Sequence, residues 1–201
     1  MTTIAALRTT YLNGYLHRTD GATKPWGDAE CNQYLTDALV QLWPQVGLYA
    51  NGDVATDETS NLYTVPASIE RVARIDVLNA DSHYVDRVSN WRAHDATKVI
   101  VKPRIANGAT LRFYGWKRFA ATGSDLLTDL EQIVAYAAAS MAYGGLAAEL
   151  VNSQRQQNLD SGRVVDYPTA IGMASYFQAR YTAGILNHPN RLHTGPRAAY
   201  R

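Results

Sequence analysis

Cysteine and long apolar runs are scarce in this sequence of 201 residues. The single cysteine, Cys31, excludes an internal disulfide framework and a cysteine-rich zinc site. No stretch approaches the roughly 18 consecutive apolar residues of a membrane span. The N-terminus also lacks the basic start and uninterrupted apolar run of a signal peptide. The sequence therefore predicts a soluble protein that is made in the cytoplasm and has no membrane partner.

Charge is low overall but unevenly distributed. The formal net charge is +1, and only 18% of residues are charged. Residues 61–120 contain ten Lys and Arg against five Asp and Glu, and residues 151–201 contain six Arg against two Asp. The rest of the chain is therefore acidic. This distribution is typical either of a molecule with different faces for different partners or of scattered surface charge.

Sequence motifs of enzymes and metal sites are missing. The chain has no phosphate-binding loop, no G-x-S-x-G and no H-E-x-x-H. The histidines are His17, His83, His94, His188 and His193. None forms an i, i+4 pair on a predicted helix, which is the spacing that brings two imidazoles to one metal. We expect no catalytic, cofactor-binding or metal-binding residues.

Two neighbouring His–Asp combinations are conceivable acid–base pairs. Asp81 and His83 could share one face of a strand, whereas His94 and Asp95 would point to opposite faces if their stretch is a strand. Nothing in the sequence supplies a nucleophile near either pair. The sequence therefore predicts a protein that is not an enzyme.

The hydrophobic periodicity predicts an α+β fold. Residues 1–50 and 125–186 show helical spacing, with one helix over Thr3–His17 and another from Asp28 to Trp43. Together these segments predict a helical bundle. An alanine-rich helix from Thr128, with Thr128 and Glu131 as a capping box, is expected at its centre.

Residues 61–120 predict an insertion into the bundle, because their pattern changes from helical to alternating. Five strand-like segments favour a small antiparallel sheet or sandwich, with a hairpin at Asn107-Gly108. The polar residues 51–61 predict a loop. Residues 1–186 are expected to form a single domain, followed by an extended C-terminal tail over 187–201.

Aromatic and basic residues are interleaved in the predicted strands. In TLRFYGWK, Leu111, Phe113 and Gly115 share one face, and Arg112, Tyr114 and Trp116 share the other. Stacking aromatics beside cations could form a nucleic-acid surface. A core face with an amphipathic outer face explains the alternation equally, and we favour that structural interpretation.

The order of these segments resembles the head–tail connector, or adaptor, proteins of tailed bacteriophages. The resemblance covers about residues 1–155 and rests on IERVARIDV, TLRFYGWK and DLLTDLEQIVAYAAASMAYGGL. It implies a structural protein of the virion neck, without enzymatic activity or cofactors. The implied partners are the portal protein, neighbouring copies in a ring (a dodecamer), and stopper or tail proteins. DNA is expected to pass through the channel without specific binding.

The resemblance also gives the C-terminal tail a role as an arm that binds the portal or a neighbouring subunit. The residues expected to make those contacts are Arg191, His193, Arg197, Tyr200 and Arg201. A frayed end is the alternative. The acidic residues Asp53, Asp57 and Glu58 are candidates to face the channel and repel phosphate. The remaining alternatives are a tail-side stopper or tail-completion protein and a nucleic-acid-binding module that uses the basic β insertion.

Overall fold

The computed structural model describes residues 2–21, 25–57, 59–153, 157–159, 164–189 and 191–192. It shows an α+β fold, as the sequence predicts. The described chain forms two compact units. The helical unit comprises residues 1–46 and 119–191, and the sheet unit comprises residues 47–118 together with Leu192.

The helical unit begins with a helix that contains one π-helical segment. Its elements are α1 (Ile4–Leu7), the π-helical segment Arg8–Leu12, α2 (Asn13–Tyr15), α3 (Asp28–Leu42), α4 (Thr128–Ser153) and α5 (Tyr167–Asn187). The helices predicted near Thr3–His17 and after Asp28 are thus confirmed. A short antiparallel pair, Gln157–Asn158 with Val164–Val165, lies between α4 and α5.

α4 lies at the centre of this unit, as its alanine content predicts. It packs against α3, against α5 and against the π-helical segment. The alanines Ala135, Ala137, Ala138, Ala139 and Ala142 are at most 1% exposed. Because alanine side chains are small, neighbouring helices approach closely on several sides.

Two expectations from the sequence are not met in α4. Over Thr128–Val151 it is long and apolar enough to cross a membrane by length and composition, although no such stretch was expected. Its alanines raise the hydropathy, and more than half of the apolar window is buried inside the fold. Glu131, the predicted capping partner of Thr128, instead accepts hydrogen bonds from Thr2 and from the Tyr11 hydroxyl.

α5 has a buried face and an exposed apolar face. Ala170, Phe177, Tyr181 and Ile185 are buried in the helical unit. A second apolar stripe, at helical spacing along the same helix, points outward. Its members Ile171, Tyr176 and Leu186 are 46%, 50% and 51% exposed.

The sheet unit contains two antiparallel sheets. The strands are β1 (Leu48–Ala55), β2 (Leu62–Thr64), β3 (Arg71–Leu78), β4 (Tyr84–Arg87), β5 (Asn90–Ala93), β6 (Lys98–Lys102) and β7 (Thr110–Lys117). One sheet has the order β1-β7-β3-β4 and the other β2-β6-β5. The predicted alternation in β7 is confirmed, since Leu111 and Phe113 are fully buried in a core with Ile75, Val99 and Val101.

Two local predictions in this region are wrong. Residues 51–55 form the second half of β1 rather than a loop, because β1 pairs along its whole length with β7. Asn107-Gly108 does form a turn, with Gly108 at φ +82°. However, it connects β6 of one sheet to β7 of the other, so these two strands are not a hairpin.

Candidate interaction surfaces

The first residues of the predicted tail contact the helical unit. The His188 side chain is 3% exposed, and its Nε2 lies 3.0 Å from Oδ2 of Asp129 on α4. The backbone of Arg191 forms an antiparallel bridge with Val46. Leu192 is also buried. His188, Arg191 and Leu192 therefore belong to the folded part of the chain, and an arm can begin only after Leu192.

Of the five residues predicted to bind the portal or a neighbouring subunit, Arg191 is the one within the described part of the chain. Arg191 is fixed through its backbone, while its side chain is exposed. The other four residues, His193, Arg197, Tyr200 and Arg201, lie outside the described residues. Their role in portal or subunit contacts stays a prediction.

Asp53, one of the predicted channel residues, lies on a strand rather than in a loop. Its two carboxylate oxygens each lie 2.7 Å from a nitrogen of Arg112 on β7. These bonds hold the pKa of Asp53 below its usual value. The arginine also balances the carboxylate charge, so Asp53 contributes little net negative potential.

Asp57 is an exposed carboxylate, which is the property needed to repel phosphate. Its Oδ1 accepts hydrogen bonds from the Thr59 backbone N–H at 2.8 Å and the Thr59 hydroxyl at 2.7 Å. These two bonds lower the pKa of Asp57, so it stays ionised at neutral pH. Glu58 lies outside the described residues.

Three arginines in or directly after the four-stranded sheet, Arg74, Arg112 and Arg118, are balanced by carboxylates. Arg74 binds Asp76, whose side chain is 1% exposed, and Arg118 binds Glu70 at 2.7 Å. The Arg74 guanidinium also lies 5.3 Å from the centre of the Tyr114 ring, which stacks with Tyr49. The interleaved aromatic and basic residues thus have partners within the sheet, which supports the structural interpretation of this pattern.

The three-stranded sheet has a more basic exposed face. Arg92 on β5 and Lys98 and Lys102 on β6 lie on the same face as Ile100, opposite the buried Val99 and Val101. Asn90, Arg92, Ile100 and Lys102 line a shallow depression of about 160 Å³. The sequence predicts a basic β insertion, but the grouping of these residues on one face of a separate sheet was not predicted. The signal was the KVIVK alternation, which places both lysines on one side of the strand.

The His–Asp combinations show no catalytic geometry. His94 Nδ1 lies 3.0 Å from Asp95 Oδ2, so the two side chains do not point to opposite faces as they would in a strand. The reason is that both residues lie in the turn after β5 and not in a strand. Thr97 also donates to Asp95, and these bonds hold the pKa of Asp95 well below its usual range. Asp81 and His83 lie in another turn, where their backbone N–H groups donate to Asn79.

A larger cavity lies within the sheet unit. Its volume is about 660 Å³, and Val65, Trp91, Val99, Glu70 and Arg71 contribute to its wall. Its described lining contains no serine, cysteine, histidine or lysine. In the same described part of the chain, no three His, Cys, Asp or Glu residues group as metal ligands.

Comparisons with solved structures give similarities to chains of gene transfer agent (GTA) particles, three of which are described below. No protein-family model matches the chain, and no curated protein matches it. A chain from the "Neck of empty GTA particle computed with C6 symmetry" is 19% identical with a TM-score of 0.33, over 68% of this chain and 74% of that chain. A chain from the "Virion of native gene transfer agent (GTA) particle" is 16% identical with a TM-score of 0.33, over 85% and 90%. A chain from the "Neck of native GTA particle computed with C12 symmetry" is also 16% identical, with a TM-score of 0.31 over 88% and 93%.

Proposed function

We propose that this chain is a head–tail adaptor that docks as a ring on the portal of a tailed phage or phage-like particle. In this role it extends the DNA channel toward the tail and catalyses no reaction. The observation that carries the proposal is the order of elements on which the family resemblance rests. Aromatic-rich N-terminal helices, an inserted sheet unit and an alanine-rich central helix follow one another as that resemblance requires.

The direct test is binding to portal-bearing capsids that lack tails. We expect the full chain to saturate a ring at the portal vertex, and a chain ending at Leu192 to bind at least ten-fold more weakly, because it lacks the proposed arm. Ending the chain at Leu186 would be a poor variant, since it also removes His188 and its contact with Asp129. Thermal unfolding of the Leu192-ended chain provides the control that the helical unit is intact.

Each result of this assay has a definite meaning. Equal binding by both chains would contradict the arm but leave the adaptor role in place. Failure of both chains to bind would contradict docking on the portal. Binding to isolated tails in that case would favour the stopper or tail-completion alternative.

Within this ring we place Asp57 and Glu58 on the channel side, where carboxylates would repel the passing DNA. Asp57→Arg combined with Glu58→Arg is expected to slow DNA passage in particles that still assemble. Asp53→Asn is the comparison and should have a smaller effect, because it changes the charge by one unit while the double variant changes it by four, and because the cation it uncovers, Arg112, lies on β7. Genome delivery at the normal rate by the double variant would contradict the placement.

The basic face of the three-stranded sheet favours nucleic-acid binding as a second candidate function. An adaptor should bind duplex DNA weakly, whereas a nucleic-acid module should lose affinity steeply as salt rises, through release of counterions. We expect Lys98→Glu with Lys102→Glu to leave capsid binding unchanged and to reduce any DNA retention. Fluorescence anisotropy with labelled duplex at several salt concentrations measures this. Submicromolar affinity at physiological salt, lost in the double variant, would favour the nucleic-acid module.

A further inference from the structure

α5 is almost uncharged for a helix with so much exposed surface. Arg180 is its only charged residue across Tyr167–Asn187. A helix on the surface of a soluble protein usually presents charged and polar residues opposite its buried stripe. The outer face of α5 instead includes Ile171, Gly172, Ser175, Tyr176, Ala179, Thr182, Ala183 and Leu186.

The large side chains on this outer face make it a candidate contact surface. Tyr176 and Leu186 are half exposed, and Ile171 is nearly so. The small residues between them would let another helix approach closely. Contiguous exposed apolar surface of this kind marks a protein–protein contact more often than a free surface.

A second, different surface lies on α3. Both α3 and α5 pack on α4, and they make no comparable contact with each other. The exposed residues of α3 are Ala29, Glu30, Gln33, Asp37, Val40 and Gln41, of which Val40 is 61% exposed. Two of these residues, Glu30 and Asp37, are carboxylates, and none is a cation.

We propose that the outer face of α5 binds the outer face of α3 on a second copy of this chain. Contacts between two different surfaces repeat from copy to copy and close into a ring when the rotation permits. Charge complementarity between the two faces identifies a second copy of this chain as the partner. In the described part of the chain Arg180 contacts Tyr176 rather than a carboxylate, and Asp37 bonds Gln33 rather than a cation. The α5 face thus offers one cation and the α3 face two carboxylates, of which Glu30 accepts a hydrogen bond from Tyr34. This inference rests on the proposed ring.

Disulfide trapping in the full chain tests the contact. The variants are Asp37→Cys and Arg180→Cys, separately and together, and Cys31 can stay because it is buried. Under oxidation the double variant should form a ladder of multimers. A mixture of the two single variants should form dimers only, and each single variant alone should form at least ten-fold fewer. Gln178→Cys combined with Asp37→Cys is the control, since Gln178 lies at the edge of α5 toward Ser140 of α4.

A charge exchange tests the pairing of Arg180 with Asp37 directly. Trapping is then followed with Val40→Cys and Ala183→Cys, which keep both charges. Arg180→Asp should reduce the rate of trapping about five-fold, as expected for surface ion pairs. Adding Asp37→Arg should restore it.

Other results would overturn the proposal. Efficient dimers of Arg180→Cys alone would show that α5 packs on α5 around a two-fold axis. Absence of the ladder at millimolar protein, or a ladder equal to that of the Gln178 control, would show that the two faces do not meet. Capsid binding is measured separately, so a failed α3–α5 contact and a failed adaptor role remain distinguishable.

Discussion

Replacing Gly115 by alanine is expected to lower the free energy of unfolding by about 3–5 kcal/mol, near the upper limit for a single substitution. A Cβ atom at this position would lie 2.1 Å from the carbonyl oxygen of Arg71 and 2.6 Å from Cγ2 of Ile69. The backbone has little freedom to move away, because β7 is hydrogen-bonded to β1 on one side and to β3 on the other. Relief of the clash therefore requires breaking part of the sheet.

Gly144→Ala in α4 is the matched control for this change. A Cβ at Gly144 would meet no atom within 4 Å. Alanine favours the helix over glycine by about 1 kcal/mol, so this variant should be slightly more stable than the natural chain. Denaturant unfolding followed by tryptophan fluorescence measures both effects. Equal midpoints for Gly115→Ala and the natural chain would show that the register around β7 is wrong.

The helices could be predicted from the sequence because their signals are local. The spacing in Asp28–Leu42 and the alanine content of α4 both report a buried face directly. β7 was predictable for the same reason, since its alternation places Leu111 and Phe113 in the core. In each case the residues that determine the element lie within the element itself.

β1 could not be predicted, because its residues LYANGDVA have weak strand preference. β1 forms because its backbone pairs with β7 along its whole length, from Leu48 to Ala55. Gly52 fits there because a side chain would meet Pro66, with a Cβ only 2.7 Å from Cβ of that proline. Likewise, the sequence Asn107-Gly108 specifies a turn but not which strands pair on either side of it.

The candidate interaction surfaces were less predictable than the fold. Periodicity identifies the apolar stripe with Ile171 and Tyr176 on α5 but cannot distinguish a core from an interface. The pairing of Asp53 with Arg112 depends on cross-strand register, which sequence spacing does not give. Position in the chain suggested an extended tail for His188, whereas its contact with Asp129 joins residues 59 positions apart.

Replacing Arg18 by alanine is expected to lower the free energy of unfolding by about 2–3 kcal/mol. The Arg18 side chain is 1% exposed and contacts Asp28 at the start of α3. Its Nη1 also donates to Asn13 at 2.6 Å, on the N-terminal helix. The change therefore removes buried contacts between these two helices. The melting temperature should fall by roughly 5–10 °C. Arg87→Ala, at an exposed site on β4, is the control and should have little effect.

The loss caused by Arg18→Ala should depend on pH. Hydrogen bonding to Arg18, with smaller effects of Gly21 and Arg8, holds the pKa of Asp28 below its usual value of 3.8. A carboxylate with a lowered pKa in the folded chain contributes stability that is present above the usual pKa and lost as pH falls through the folded value. The difference between the natural chain and Arg18→Ala should therefore be largest near neutral pH and shrink in acid. A difference that stays constant into strong acid would show that packing of the arginine stem, and not its charge pair with Asp28, holds the two helices together.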